Sequence, residues 1–239
     1  QQDELQKHCS FGSTVFTSFH ISEEFDDSYV SRARRMCEWL GSNGFRILAD
    51  VSKKTASFFG ISDLAAFAQS LAIDALRIDY GFSAAEIEKL AMQLPIVLNA
   101  STVDLEAAAK IAAAGGRVCA MHNFYPRPET GLDEAFFRAS TERLRSAGLE
   151  VLAFIPGDAQ KRGPLYEGLP TLEEHRYLPP YVGFVDCTVR FQADGVFAGD
   201  LARRTAALIQ PRNGRCRFHD LTGAYRSLYG RSFPLTTRS

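Results

Sequence analysis

Seven short runs of apolar and β-branched residues recur along the chain, separated by longer stretches with helical spacing, and this alternation limits the fold more than any other feature. The runs occupy residues 14–20 (TVFTSFH), 45–51 (FRILADV), 75–79 (ALRID), 95–99 (PIVLN), 117–122 (RVCAMH), 150–155 (EVLAFI) and 195–199 (GVFAG). Each is nearly continuous in apolar residues, the pattern of strands buried on both faces of a parallel sheet.

The intervening segments carry helix signals. Val30, Ala33, Cys37 and Leu40 fall on one helical face, and Leu132, Phe136, Phe137, Ser140, Leu144 and Ala147 on another. Ser83 with Glu86, and Thr171 with Glu174, have the spacing of capping boxes. Asn43-Gly44 and Gly148 sit where helices should stop. Residues 2–9 and 201–209 read as further helices.

Repeated β-α units mean an α/β fold with a parallel sheet. No G-x-G-x-x-G or P-loop pattern follows any strand, so dinucleotide and nucleotide-triphosphate binding lose their main support. Polar residues stand at the C-terminal ends of many strands: Ser18, His20, Asp50, Asp79, Asn99, His122, Asn123, Asp158 and Asp200. An open sheet concentrates function at one switch point, whereas a barrel gathers all strand ends at one mouth. The even distribution favours a (β/α)8 TIM barrel. Such a barrel has eight strands, so the first strand is expected before Gln1. The expected organisation is a barrel over residues 1–210, then a linker and the beginning of a second small domain over 211–239.

Composition narrows the class. The chain has 239 residues, enough for a sizeable core, and a net charge of −1, which argues against nucleic-acid binding by bulk electrostatics. No apolar run is long enough to span a bilayer, and the opening QQDELQKH has no signal-peptide pattern. The five cysteines form no C-x-x-C pair, which fits reduced thiols in the cytoplasm.

Two loops are rich in chemistry. In residues 122–131 (HNFYPRPETG), two prolines bracket Arg127 and stiffen a loop that also carries Asn123 and Tyr125. A rigidly held guanidinium suits a phosphate or carboxylate. Residues 156–176 form the longest loop, with Lys161 and Arg162 as further phosphate candidates. Glu167 lies there beside Tyr166; a carboxylate against an aromatic ring is expected to titrate high, as a general acid needs. Asp50 and Asp79 end two strands and can reach one substrate, with Arg77 on the same side as Asp79. Asn99 suits a sugar hydroxyl or acetamide. His20, His122 and His175 with Asp50 lack metal-site spacing, no G-x-S-x-G supports a serine nucleophile, and no cofactor is expected.

With HNFYPRPETGL and FIPGDAQKRGPLYEGLPTLEEHR, together with FTSFHI, ADVS, RIDYGF, LNAST and Gly199-Asp200 in the same order, the chain strongly resembles the MupG-type 6-phospho-N-acetylmuramidases. The resemblance runs from about Thr14 to Asp200. It implies a TIM barrel followed by a cyclophilin-like β-domain. It also implies hydrolysis of N-acetylmuramic acid 6-phosphate from N-acetylglucosamine, a phosphorylated amino-sugar disaccharide, in bacterial cell-wall recycling. The family's opening strand, a pattern like G-x-S-x-Y, is the strand expected before Gln1. Glycoside hydrolysis commonly uses two carboxyl groups. Glu167 is the expected acid/base, with Asp79 or Asp50 as nucleophile or as the group orienting the substrate's own acetamide. Arg127, Lys161 and Arg162 are the expected phosphate ligands; Ser18, His20, Asn99, His122, Asn123, Tyr125 and Asp200 are further substrate contacts. A sugar-phosphate aldolase or isomerase would need a lysine inside the barrel, and no strand carries one. A barrel that binds a phospho-sugar without turnover, or an inactive remnant, is the remaining alternative.

Overall fold

The computed structural model describes residues 5–6, 12–19, 27–79 and 81–200. Seven strands form a single parallel sheet in chain order: β1 (Thr14–Ser18), β2 (Arg46–Val51), β3 (Ala75–Ile78), β4 (Ile96–Asn99), β5 (Val118–Met121), β6 (Glu150–Ile155) and β7 (Gly195–Ala198). They match the seven apolar runs to within two residues at either end. The helices between them are α1 (Asp27–Ser42), α2 (Thr55–Phe58), α3 (Leu64–Ser70), α4 (Ala84–Ala91), α5 (Leu105–Ala113), α6 (Glu134–Ser146) and α7 (Pro180–Val185). The expected helices over 2–9 and 201–209 and the expected second domain lie outside the described residues, apart from a helical Leu5–Gln6.

The sheet curls into a nearly closed barrel. Phe16 on β1 and Phe154 on β6 meet edge to face with ring centroids 5.4 Å apart. Five inter-strand steps would separate them by about 24 Å in a flat sheet, so the contact requires curvature. Leu48, Val97, Met121 and Phe154 fill the interior, while Ile47, Ala49, Leu76, Ile96 and Ala120 face the helices. Two buried faces explain why the strands read as continuous apolar runs. Among the described residues no strand joins β7 to β1.

The helix signals fare differently from place to place. Ser83 and Glu86 form the expected reciprocal capping box of α4. Gly148 takes φ +82 just after α6, a conformation that favours glycine. The second expected box does not form. Thr171 instead donates to the Asn123 carbonyl and accepts from Phe154 N, and only a single tight turn follows at Glu173–His175. On α6, Phe137, Ser140 and Leu144 are buried as expected, but Phe136 is half exposed, because its neighbour Phe137 takes the core-facing position.

Candidate active site

Parallel register builds the floor of the mouth. Ser18, Asp50 and Arg77 are aligned in one row across β1, β2 and β3. Side chains alternate along a strand, so Arg77 points inward beside the interior Leu48 and Val97 rather than toward the helices. A buried cation must be paired. Arg77, 6% exposed, donates through Nη1 to Asp50 Oδ1 at 2.9 Å and through Nη2 to Asn123 Oδ1. Ser18 Oγ reaches the second Asp50 oxygen at 3.5 Å. Because Asn123 accepts with Oδ1, its amide nitrogen remains a donor with no acceptor among the described residues.

Two residues further along the strands, a second chain of bonds has a fixed polarity. Ser101 N–H donates to Asn99 Oδ1 at 2.9 Å, so the Asn99 amide can only offer its NH2 to the next group. That group is Asp79 Oδ1, at 2.7 Å. Asp79 Oδ2 has no partner among the described residues. The Asp79 oxygen left open toward a substrate is therefore Oδ2.

The rim is held by an ion pair between a buried arginine and a half-buried glutamate. Arg176 is fully buried, and all five of its N–H bonds are used: Nε and Nη2 bind Glu173, Nη1 binds the carbonyls of Tyr125 and Gly168, and Nη2 also binds that of Arg127. The Glu173 oxygens accept in addition from Glu129 N and Gly131 N. The Arg176 guanidinium and these N–H bonds hold the Glu173 carboxyl down at about 2. This network locks the 122–131 loop against the 156–176 loop. Arg127, whose side chain is exposed, has its backbone fixed this way. Arg162 is exposed, Lys161 is half-buried with Nζ 5.5 Å from the Tyr177 ring centroid, and Glu167 Oε2 accepts from the Tyr177 hydroxyl at 3.0 Å. Glu167 is thus not enclosed against Tyr166 as the sequence suggested; Tyr166 is 62% exposed.

Two expected contacts are placed elsewhere. His122 follows the interior Met121 on β5, so alternation turns it outward. Its Nε2 lies 3.3 Å from Thr141 Oγ1 and its ring packs on Phe137, both on α6. Burial there pushes its pKa down to about 4. Asp200 is buried with its carboxylate turned onto backbone, accepting from Gly157 N, Arg162 N and Leu169 N. It staples the long loop to the end of β7 instead of facing the mouth. His20 lies outside the described residues. Tyr125 is half-buried, its backbone tied to Pro170 and Arg176.

A His/Asp/Glu cluster does form away from the mouth. Ligand atoms of Glu174, His175 and Asp186 lie within 4.8 Å of one another. The cation against them is the Arg190 guanidinium, 3.4 Å from Asp186 and 3.5 Å from Glu174. His175 Nε2 bonds Asp186 at 3.0 Å, and the arrangement pins the turn after α7.

Sequence reasoning noted Arg77 only as a neighbour of Asp79 and missed Arg176, Glu173 and Tyr177. The signal for Arg77 was present: an arginine inside an otherwise apolar strand must meet an anion. Nothing local marks Arg176, because its partners lie up to 51 residues away in the chain.

A conserved protein of unknown function from Enterococcus faecalis is similar in structure, with a TM-score of 0.74 and 34% identity over 87% of this chain and 59% of its own. An uncharacterised B. cereus protein has a TM-score of 0.63 and 25% identity, over 83% of this chain and 55% of its own. The chain thus spans less than three fifths of the length of either relative. No curated protein matches it. With this barrel and these loop motifs in place, the match over residues 1–211 to MupG_N, described as 6-phospho-N-acetylmuramidase, N-terminal, shows that the chain belongs to that family.

Proposed function

We propose that this barrel is the catalytic part of a cytoplasmic bacterial glycosidase that cleaves N-acetylmuramic acid 6-phosphate from N-acetylglucosamine during peptidoglycan recycling. Family membership supports a muramidase-related glycosidase. The observation that carries the finer reading is the pairing of an open carboxylate oxygen, Asp79 Oδ2, with a rim bearing three cations, Arg127, Lys161 and Arg162. A phosphorylated sugar needs both: a carboxylate near the anomeric carbon and cations for its 6-phosphate.

In this reading Glu167 donates a proton to the glycosidic oxygen as the bond from C1 breaks, and N-acetylglucosamine leaves with its hydroxyl restored; a water molecule then bonds to C1 and returns its proton to the Glu167 carboxylate, giving free N-acetylmuramic acid 6-phosphate. Asp79 Oδ2 faces the positive charge that develops at C1, held at that angle by Asn99. Asp50, tied to Arg77, anchors the floor and fixes Asn123, whose amide nitrogen donates to the sugar. Arg127, Lys161 and Arg162 bind the phosphate, with Tyr125 beside them.

The test is turnover of the disaccharide with and without its 6-phosphate. The phosphorylated substrate should be cleaved and the other ignored, and Asp79→Asn and Glu167→Gln should each lose at least about a hundredfold in kcat. Equal turnover of the two substrates removes the phosphate assignment, and near wild-type rates in either variant remove that carboxylate from the mechanism.

A further inference from the structure

Tyr177 is 71% exposed, yet both ends of its side chain are engaged. Its hydroxyl donates to Glu167 Oε2 at 3.0 Å, and the Lys161 ammonium sits over its ring at 5.5 Å from the centroid, within cation–π range. These are the expected acid and one expected phosphate ligand, ten and sixteen residues earlier in the chain, and an exposed ring joins them.

The backbone explains why the three meet. Arg176, the preceding residue, is locked by its five donated hydrogen bonds, so the Tyr177 backbone is fixed at the rim while its ring projects outward. One of those bonds goes to the Gly168 carbonyl at 3.2 Å. Glu167 is therefore anchored on its C-terminal side by the same guanidinium. Tyr166 and Gly168 on either side both take left-handed backbone, at φ +59 and +88. For Tyr166 this conformation is unfavourable by about 1 kcal/mol or more, and it persists only because the surroundings hold it. The turn swings the Glu167 carboxylate toward Tyr177.

We propose that Tyr177 is a positioning residue that sets the acid and the phosphate arm of the site at a fixed separation, through its hydroxyl on Glu167 and its ring face under Lys161. The inference rests on the roles given to Glu167 and Lys161 above. The hydroxyl occupies Oε2, so the proton delivered to the leaving oxygen is carried on Oε1, which has no partner among the described residues. The same bond gives Tyr177 a signature of its own: the adjacent Glu167 carboxylate holds the phenol above its ordinary value of 10.0.

Two substitutions separate the two ends, and the exposed position makes both compatible with folding. Tyr177→Phe keeps the ring and removes the donor; it should lower kcat for the phosphorylated disaccharide about tenfold with KM unchanged. Tyr177→Leu removes the ring as well and should also raise KM about threefold for that substrate. Ultraviolet titration of the full chain should show one late-titrating phenol that is missing in Tyr177→Phe. In Glu167→Gln, which keeps the acceptor and removes the charge, it should titrate earlier. Wild-type kcat in Tyr177→Phe, or a phenol titration untouched by Glu167→Gln, overturns the proposal. A wild-type chain that cleaves neither disaccharide overturns only the glycosidase reading, and the titration then decides the Tyr177–Glu167 coupling alone.

Discussion

Arg77 sits in an apolar strand with its guanidinium inside the barrel, where protein rather than water must meet its charge. Asp50 and Asn123 do so, the latter from 46 residues further along the chain. Removing one member of such a pair strands the other: Arg77→Met should destabilise the protein by about 3 kcal/mol, read by urea unfolding. The double variant Asp50→Leu with Arg77→Met should recover most of that loss, because two apolar side chains leave no buried charge. If the double variant is as unstable as the single, the pair is not the source of the loss. Asp79 differs from Asp50 in having only Asn99 as a partner among the described residues, which leaves one oxygen open there. The two strand-end aspartates looked equivalent as sequence; their neighbours make one a floor anchor and leave the other with an open oxygen.

At the level of elements, the two loops at the mouth behave as one unit because a single ion pair satisfies both. The 122–131 loop has no secondary structure of its own between its prolines, and its shape comes from bonds to Glu173 and Arg176. Close approach is part of that fit. A Cβ added at Gly131 would lie 2.6 Å from Glu173 Oε2 and 2.8 Å from its backbone nitrogen. Gly131→Ala should therefore push the loops apart, with a loss of about 1–3 kcal/mol and faster proteolytic nicking between residues 122 and 131. Unchanged stability and an unchanged cleavage pattern would show that the contact is not tight. The sequence marked these loops as rigid through Pro126 and Pro128, but it attached Glu173 and Glu174 to a helix start. The capping pattern is local, and here the Asn123 carbonyl and the Phe154 N–H, distant in the chain, competed successfully for the Thr171 hydroxyl.

Over the whole molecule, two buried or paired groups make the fold sensitive to acid. His122 titrates at about 4 in the folded state against an ordinary 6.5, because burial disfavours its charged form. Protons therefore bind the unfolded chain more readily, and stability falls as the pH drops from about 6.5 toward 4. Glu173 is held at about 2 against an ordinary 4.5 by Arg176, so its contribution is lost as the pH falls from about 4.5 toward 2. Urea midpoints should decline across both windows, and His122→Gln should flatten the upper one while leaving the lower. A slope between pH 6.5 and 4 that survives this substitution would assign it to other groups. By itself the sequence determined the seven strands, their parallel order and the β-α repeat, because these follow from local periodicity and from burial on both faces. It also placed polar residues at the mouth end of the strands. Only the tertiary structure decided which of them face the mouth. Strand alternation turns His122 out toward α6, backbone N–H groups claim Asp200, and register sets Asp50 against Arg77. The physical reason is that a polar side chain's role is fixed by the partner that satisfies it. For Arg77, Glu173 and Asp200 those partners lie dozens of residues away in the chain and adjacent only in space.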